Sequence, residues 1–112
     1  MTEYRVEIGF QAQADLMDIV RYIGETLGEP RTAGTLYRLL KQEITSLCNM
    51  PDQYPFEDEA RARSLKVRKL LVKNYKVLYL VHREQKLVQV VRVVYAGRDV
   101  SKQLEETDSS ST

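Results

Sequence analysis

At 112 residues the chain can bury one hydrophobic core and is short for two. Seventeen Lys and Arg stand against 16 Asp and Glu, a formal charge of +1, so bulk charge argues neither for nor against nucleic acid, and the positions of the charges must decide. One cysteine, Cys48, excludes an internal disulfide; with no apolar run near the ~20 residues that cross a bilayer and no basic leader, a soluble protein of the cytosol, without membrane contact, is expected.

Tyr4, Val6, Ile8 and Phe10 alternate with Arg5, Glu7 and Gly9, the period of a strand with one buried face. From about Ala12 the period lengthens. Leu16, Ile19, Val20, Ile23 and Leu27 follow helical spacing, and Gly28 stands where a left-handed C-terminal cap is usual. Pro30 with Thr32 opens a second helix with the apolar stripe Ala33, Leu36, Tyr37, Leu40, Ile44 and Leu47. The short link between the helices predicts an antiparallel hairpin. The stretch NMPDQYPFEDEARAR has no periodicity and reads as a connection, in which Arg61 and Arg63 neutralise Glu57, Asp58 and Glu59.

Three strands follow, about Leu65 to Val72, Tyr75 to His82 and Leu87 to Tyr95. A two-residue turn at Lys73-Asn74 joins the first pair, Asn74 being the residue that tolerates positive φ, and Arg83 to Lys86 make the second turn. After Gly97-Arg98-Asp99, Val100 to Leu104 predicts a last helical turn, and EETDSSST has the composition of a disordered tail. The expectation is one domain over residues 1–104 and a tail over 105–112. Its class is α+β: an N-terminal strand, then a helical hairpin packed on one face of a mainly antiparallel sheet completed by three C-terminal strands. The first strand lies beside one of these three, and the sequence leaves open which.

With residues 72 and 75 flanking the first turn, and 82 and 87 the second, opposite residues share a face. One face carries Lys66, Arg68, Leu70, Val72, Tyr75, Val77, Tyr79, Val81, Val88, Val90, Arg92 and Val94. Richer in aromatic rings, it is expected under the helices, with Arg68 and Arg92 paired to Asp15, Asp18 or Glu43 at the boundary. The other face presents Leu71, Leu78, Leu80, Val91 and Val93 bordered by Lys69 and Lys76, too apolar to stand in water. Three covers are open: the C-terminal segment, a second copy of the chain, or a dedicated partner laid across the sheet.

The opening strand YRVEI, the helix AQADLMDIVRYI, the loop SLCNMPDQYP, the strand pair VRKLLVKNYKVLYLV and the ending VVRVVYAGRDVSKQL, in this order over about residues 4–104, resemble the RelE/ParE superfamily of bacterial type II toxin-antitoxin systems. The resemblance implies a toxin of a plasmid-stabilisation or addiction module. A cognate antitoxin, whose C-terminal segment wraps the toxin, neutralises it, and a toxin-antitoxin heterotetramer or a toxin homodimer are the expected assemblies. The superfamily holds two chemistries: RelE-like members are ribosome-dependent ribonucleases (mRNA interferases) that cut messenger RNA in the decoding site, whereas ParE-like members inhibit DNA gyrase.

Cleavage through the RNA 2′-hydroxyl needs a base, cations to stabilise the phosphorane and an acid for the leaving oxygen. By the resemblance, Lys76 stands in the Tyr-x-Val-x-Tyr strand where RelE-like enzymes commonly present an arginine, and Arg98 corresponds to their arginine after the last strand. Lys69 would add a cation, Lys66 or Lys69 would serve as base if desolvated, and Tyr95 is the nearest substitute for the acid. The tyrosine or histidine that the ribonucleases tend to place after Arg98 is replaced by Ser101, Lys102, Gln103 and Leu104. A metal-independent messenger RNA endonuclease built on Lys66, Lys69, Lys76, Tyr95 and Arg98 is therefore the alternative reading.

The Gly-Arg-Asp ending resembles the ParE branch more closely, and such a toxin needs a binding surface but no acid or base. The leading expectation is a gyrase inhibitor that meets its antitoxin or target through Lys69, Leu71, Lys76, Leu78, Leu80, Val91, Val93 and Arg98. A degenerate toxin that only binds an antitoxin or regulates its operon is a further alternative. His82, the one histidine, is about 20 Å along the strand from Lys76 and reads as a surface residue beside a turn. Asp15 and Asp18 lack further ligands, Cys48 reads as packed, and no phosphate loop or zinc spacing occurs, so neither metal nor cofactor is expected.

Overall fold

The computed structural model describes residues 3–97; Arg98, the helical turn expected over Val100 to Leu104 and the tail lie outside the described residues. Strand β1 (Arg5–Ile8) leads through Gly9 into helix α1 (Phe10–Arg21) and one π-helical turn (Tyr22–Thr26). Helix α2 (Pro30–Thr45) follows, with Pro30 in its first turn, where a missing N–H costs nothing. A one-turn helix, α3 (Ala60–Ser64), precedes β2 (Arg68–Val72), β3 (Tyr75–His82) and β4 (Leu87–Tyr95). The sheet runs β1-β4-β3-β2, with β1 parallel to β4 and the other pairs antiparallel. The α+β architecture is the expected one, and β4 is the partner of β1 that the sequence left open.

Two glycines set the geometry of the helical layer. A Cβ on Gly9 would lie 3.0 Å from the Val90 carbonyl oxygen, the atom that accepts the Gly9 N–H at 2.9 Å. That close approach lets the chain leave the sheet and start α1, which is why Phe10, the last residue of the expected strand, is instead exposed at the helix start. Gly28 takes φ +69°, the left-handed turn between the helices that its position predicts.

Leu16 of α1 and Leu40 and Ile44 of α2, with Leu47 just beyond it, bury against Leu70, Val72, Val77, Tyr79, Val88 and Val90 of the sheet. Tyr79, the largest fully buried side chain, donates its hydroxyl to the Pro51 carbonyl at 2.6 Å, so the hub of the core also holds the connection after α2.

The first hairpin has the expected register, Val72 opposite Tyr75 and Lys69 opposite Leu78, although Lys73 and not Asn74 takes the positive φ (+55°). The second begins as expected, His82 opposite Leu87, and then slips by one residue: Tyr79 faces Val90, but Leu78 faces Arg92. Val91 is the extra residue of a β-bulge. Beyond it the faces of β4 exchange. Val93 packs with the helix-covered core and Val94 with the opposite face, the reverse of the expected assignment.

The bulge coincides with the end of β1, which pairs with β4 only as far as Val90. Past that point Asp15 of α1 takes over the edge. Its carboxylate accepts the Val93 N–H at 2.9 Å and two guanidinium bonds from Arg92 at 2.8 and 2.9 Å. Arg92 thus finds one of the carboxylates proposed for it. Arg68 does not: it donates to the Tyr54 carbonyl at 2.6 Å, with its guanidinium 4.2 Å from the centre of the Phe56 ring.

Candidate functional site

The connection after α2 is an ordered strap. Tyr54 and Phe56 are tied to Arg68, and a bridge from Phe56 to Arg68 lays Pro55 to Glu57 along the outer edge of β2. Glu57 donates its N–H to Val67 O at 2.8 Å, and Lys69 donates its N–H to Pro55 O at 3.0 Å. Those bonds bring the next side chains over the sheet face that carries Lys69 and Lys76.

There the acids meet the lysines. Lys76 Nζ is 3.1 Å from both Glu57 oxygens, and Lys69 Nζ is 3.1 Å from Asp58 Oδ2. Glu57 is buried, 5% of its side chain exposed against 16% for Lys76 and 17% for Lys69. Glu57 Oε1 also accepts the Asp58 N–H at 3.1 Å, whereas Oε2, though close to the ammonium, is out of line for a hydrogen bond and has no other donor among the described residues. Breaking the inner pair by removing one partner would strand a buried charge, a cost of about 3–5 kcal/mol; the outer pair, with Asp58 in solvent, is worth about 0–1 kcal/mol.

Glu59 accepts the N–H groups of Arg61 and Ala62 and so caps α3. At the other end Lys66 stands at φ +62°, its N–H bonded to Arg63 O and that of Val67 to Ala62 O, the paired bonds of a Schellman turn. The turn presses Ala62 onto Val67, Leu78 and Val94, with Leu80 and Val91 packed around them. The three acids thus hold two lysines and a helix end, a different use from the expected neutralisation by Arg61 and Arg63.

This geometry revises the apolar docking face. Leu78 is wholly buried under α3, Val93 lies on the helix side because of the bulge, and Leu80 and Val91 are half-buried; only Leu71, 59% exposed, stands open as expected. The chain's own strap covers the centre of the face. Of the ribonuclease constellation, Lys69 and Lys76 share one face, but Lys66 and Tyr95 do not join them as base and acid. Lys66 is exposed and lacks the burial a lysine base needs. Lys69 and Lys76 are paired to carboxylates. Tyr95 faces Tyr75 across the ladder, edge-to-face at 5.9 Å, on the opposite side of the sheet from Lys76. Arg98 lies outside the described residues.

Burial raises the Tyr79 phenol well above its ordinary value, against a smaller opposite pull from Arg68. Tyr75 is raised too, by burial first and then by Tyr95 and Tyr22. His82 Nε2 lies 3.0 Å from Gln89 Oε1 beside the second turn. Among the described residues no cluster of His, Cys, Asp or Glu could hold a metal ion, and no helix is long and apolar enough to cross a membrane.

The sheet order, the helical hairpin and the strand-to-helix exit at Gly9 can be set beside known proteins. Residues 6–100 match the family model described as ParE toxin of type II toxin-antitoxin system, parDE. The chain belongs to the ParE toxin family.

Solved structures share the fold of this ParE-family chain. The chromosomal ParDE system of P. aeruginosa superposes with TM-score 0.68 at 18% identity, over 83% of this chain and 96% of that one. The RelBE2 toxin-antitoxin complex of Mycobacterium tuberculosis gives 0.57 at 18% identity, over 84% and 99%. A mutant of E. coli toxin RelE in the free state gives 0.58 at 17% identity, over 96% and 97%. No curated protein matches the chain in sequence.

Proposed function

We propose that this ParE-family toxin is held inactive by a cognate antitoxin and arrests growth by protein contact with DNA gyrase, without cutting RNA. Two of the similar structures are toxin-antitoxin systems, which supports an antitoxin partner. The observation that carries the choice against cleavage is the occupied lysine face: Lys69 and Lys76 are neutralised by Asp58 and Glu57, and Tyr95 is on the other side of the sheet. Among the described residues, an RNA phosphate at this face would find Lys69 and Lys76 already paired and Tyr95 out of reach on the other side. The ParE-branch resemblance supplies gyrase as the target.

The test is a supercoiling assay with purified gyrase and relaxed plasmid, run beside transcript mapping in a translating extract. Supercoiling that falls with added toxin and returns with antitoxin, together with intact transcripts, is the expected result. Codon-positioned cuts in messenger RNA with normal supercoiling would refute the reading.

A further inference from the structure

We propose that Lys69 and Lys76 form an anion site that the chain fills with its own carboxylates, so that the strap Pro55 to Glu59 keeps the phosphate backbone of single-stranded RNA off this face. The inference rests on the functional reading above and adds a device that enforces it.

Lys69 and Lys76 occupy adjacent strands on one face, at diagonal positions of the ladder, Lys69 opposite Leu78 and Leu71 opposite Lys76. Cations on such a diagonal are near neighbours, and they repel unless an anion lies between or over them. Both are mostly shielded from water, which raises the strength of any anion's attraction above that of a surface lysine.

The present occupant is held as much by backbone as by charge. Glu57 N–H to Val67 O and Lys69 N–H to Pro55 O fix the strap to β2, and Arg68 pins Tyr54 and Phe56 just before it. Those contacts deliver Glu57 and Asp58 as a preset pair of anions. Ammonium donors accept carboxylate and phosphate oxygens alike through charge-assisted bonds, so the strap occupies the place a phosphodiester chain would take. The fit is incomplete at one atom, since buried Glu57 Oε2 lies 3.1 Å from Lys76 Nζ without a hydrogen bond.

Neutralising the strap should therefore unmask RNA binding that the natural chain lacks. Replacing Glu57→Gln and Asp58→Asn removes two negative charges, taking the formal charge from +1 to +3. The readout is fluorescence anisotropy of a labelled single-stranded RNA against salt concentration. At about 50 mM salt the double variant should bind about tenfold tighter than wild type, and its slope of log K against log salt should steepen by about 1.4, two phosphates at about 0.7 each. Adding Lys69→Met and Lys76→Met should abolish the gain.

A folded double variant that binds no tighter than wild type overturns the proposal. So does a gain that survives the lysine replacements, which would trace to net charge alone. If the double variant does not fold, Asp58→Asn carries the test, because that carboxylate is 82% exposed: about a threefold gain and a slope change of about 0.7 are expected, and no gain overturns the proposal. Gyrase inhibition by the wild-type protein is read separately, so its absence would refute the functional reading without touching this result.

Discussion

Removing the Asp15 carboxylate should cost about 4 kcal/mol of folding stability, more than any surface charge could explain. Asp15 accepts three bonds, from Arg92 Nε at 2.8 Å, Arg92 Nη2 at 2.9 Å and the Val93 N–H at 2.9 Å, with 12% and 8% of the two side chains exposed. Taking one partner from such a buried pair costs about 3–5 kcal/mol, and an unsatisfied buried N–H about 1–3 kcal/mol; the two losses share one carboxylate and do not add in full. Asp15→Ala should therefore lower Tm by about 15 °C in a calorimetric or circular dichroism melt. Asp15→Asn, which keeps an acceptor for Val93, should lose about half as much free energy. The double variant Asp15→Ala/Arg92→Met should recover about 2 kcal/mol relative to the sum of the single changes. A loss below about 1 kcal/mol for Asp15→Ala, or strict additivity in the double variant, would show that this pair does not hold the edge of β4 where β1 ends.

Three further outcomes follow from the same structure. Lys66→Gly should stabilise the protein by about 1 kcal/mol in urea unfolding, because lysine at φ +62° bears a Cβ penalty that glycine avoids. Leu78→Ala should cost about 2–5 kcal/mol as a core truncation under α3, while Leu71→Ala stays within about 0.5 kcal/mol; equal effects would mean the strap does not cover the face. The Tyr79 phenol, raised by burial, holds its proton more tightly in the folded chain, so its contribution is present below the ordinary value of 10.0 and is lost as pH rises past that value through the folded one. Alkaline melts should show a decline beginning near pH 10.0 that Tyr79→Phe weakens.

The helical hairpin and the first β-hairpin were legible because their signals are local: Gly28 and Pro30 punctuate the helices, and a two-residue turn fixes Val72 opposite Tyr75. The bulge was not. Val90, Val91, Val93 and Val94 are all valine, so the apolar pattern of β4 fits either register and only the end of β1 at Val90 marks the slip. Helix α3 is too short for a periodic stripe, and its left-handed exit falls on Lys66 in place of the glycine that would have announced it.

The strap did leave a trace in the sequence. Three consecutive acids precede a strand pair bearing Lys69 and Lys76, but sequence proximity favours Arg61 and Arg63 as partners, whereas pairing across β2 brings the lysines closer. What looked like an open apolar face flanked by cations is for the most part an internal contact.

The most direct measurement is transcript cleavage and gyrase inhibition by the variant carrying Lys69→Met, Lys76→Met, Glu57→Gln and Asp58→Asn together, which removes the charges of the face in matched pairs. Wild type should inhibit supercoiling, and neither wild type nor variant should cut messenger RNA. Messenger RNA cleavage by the wild type that disappears in the folded variant would contradict action by protein contact and return Lys69 and Lys76 to catalysis.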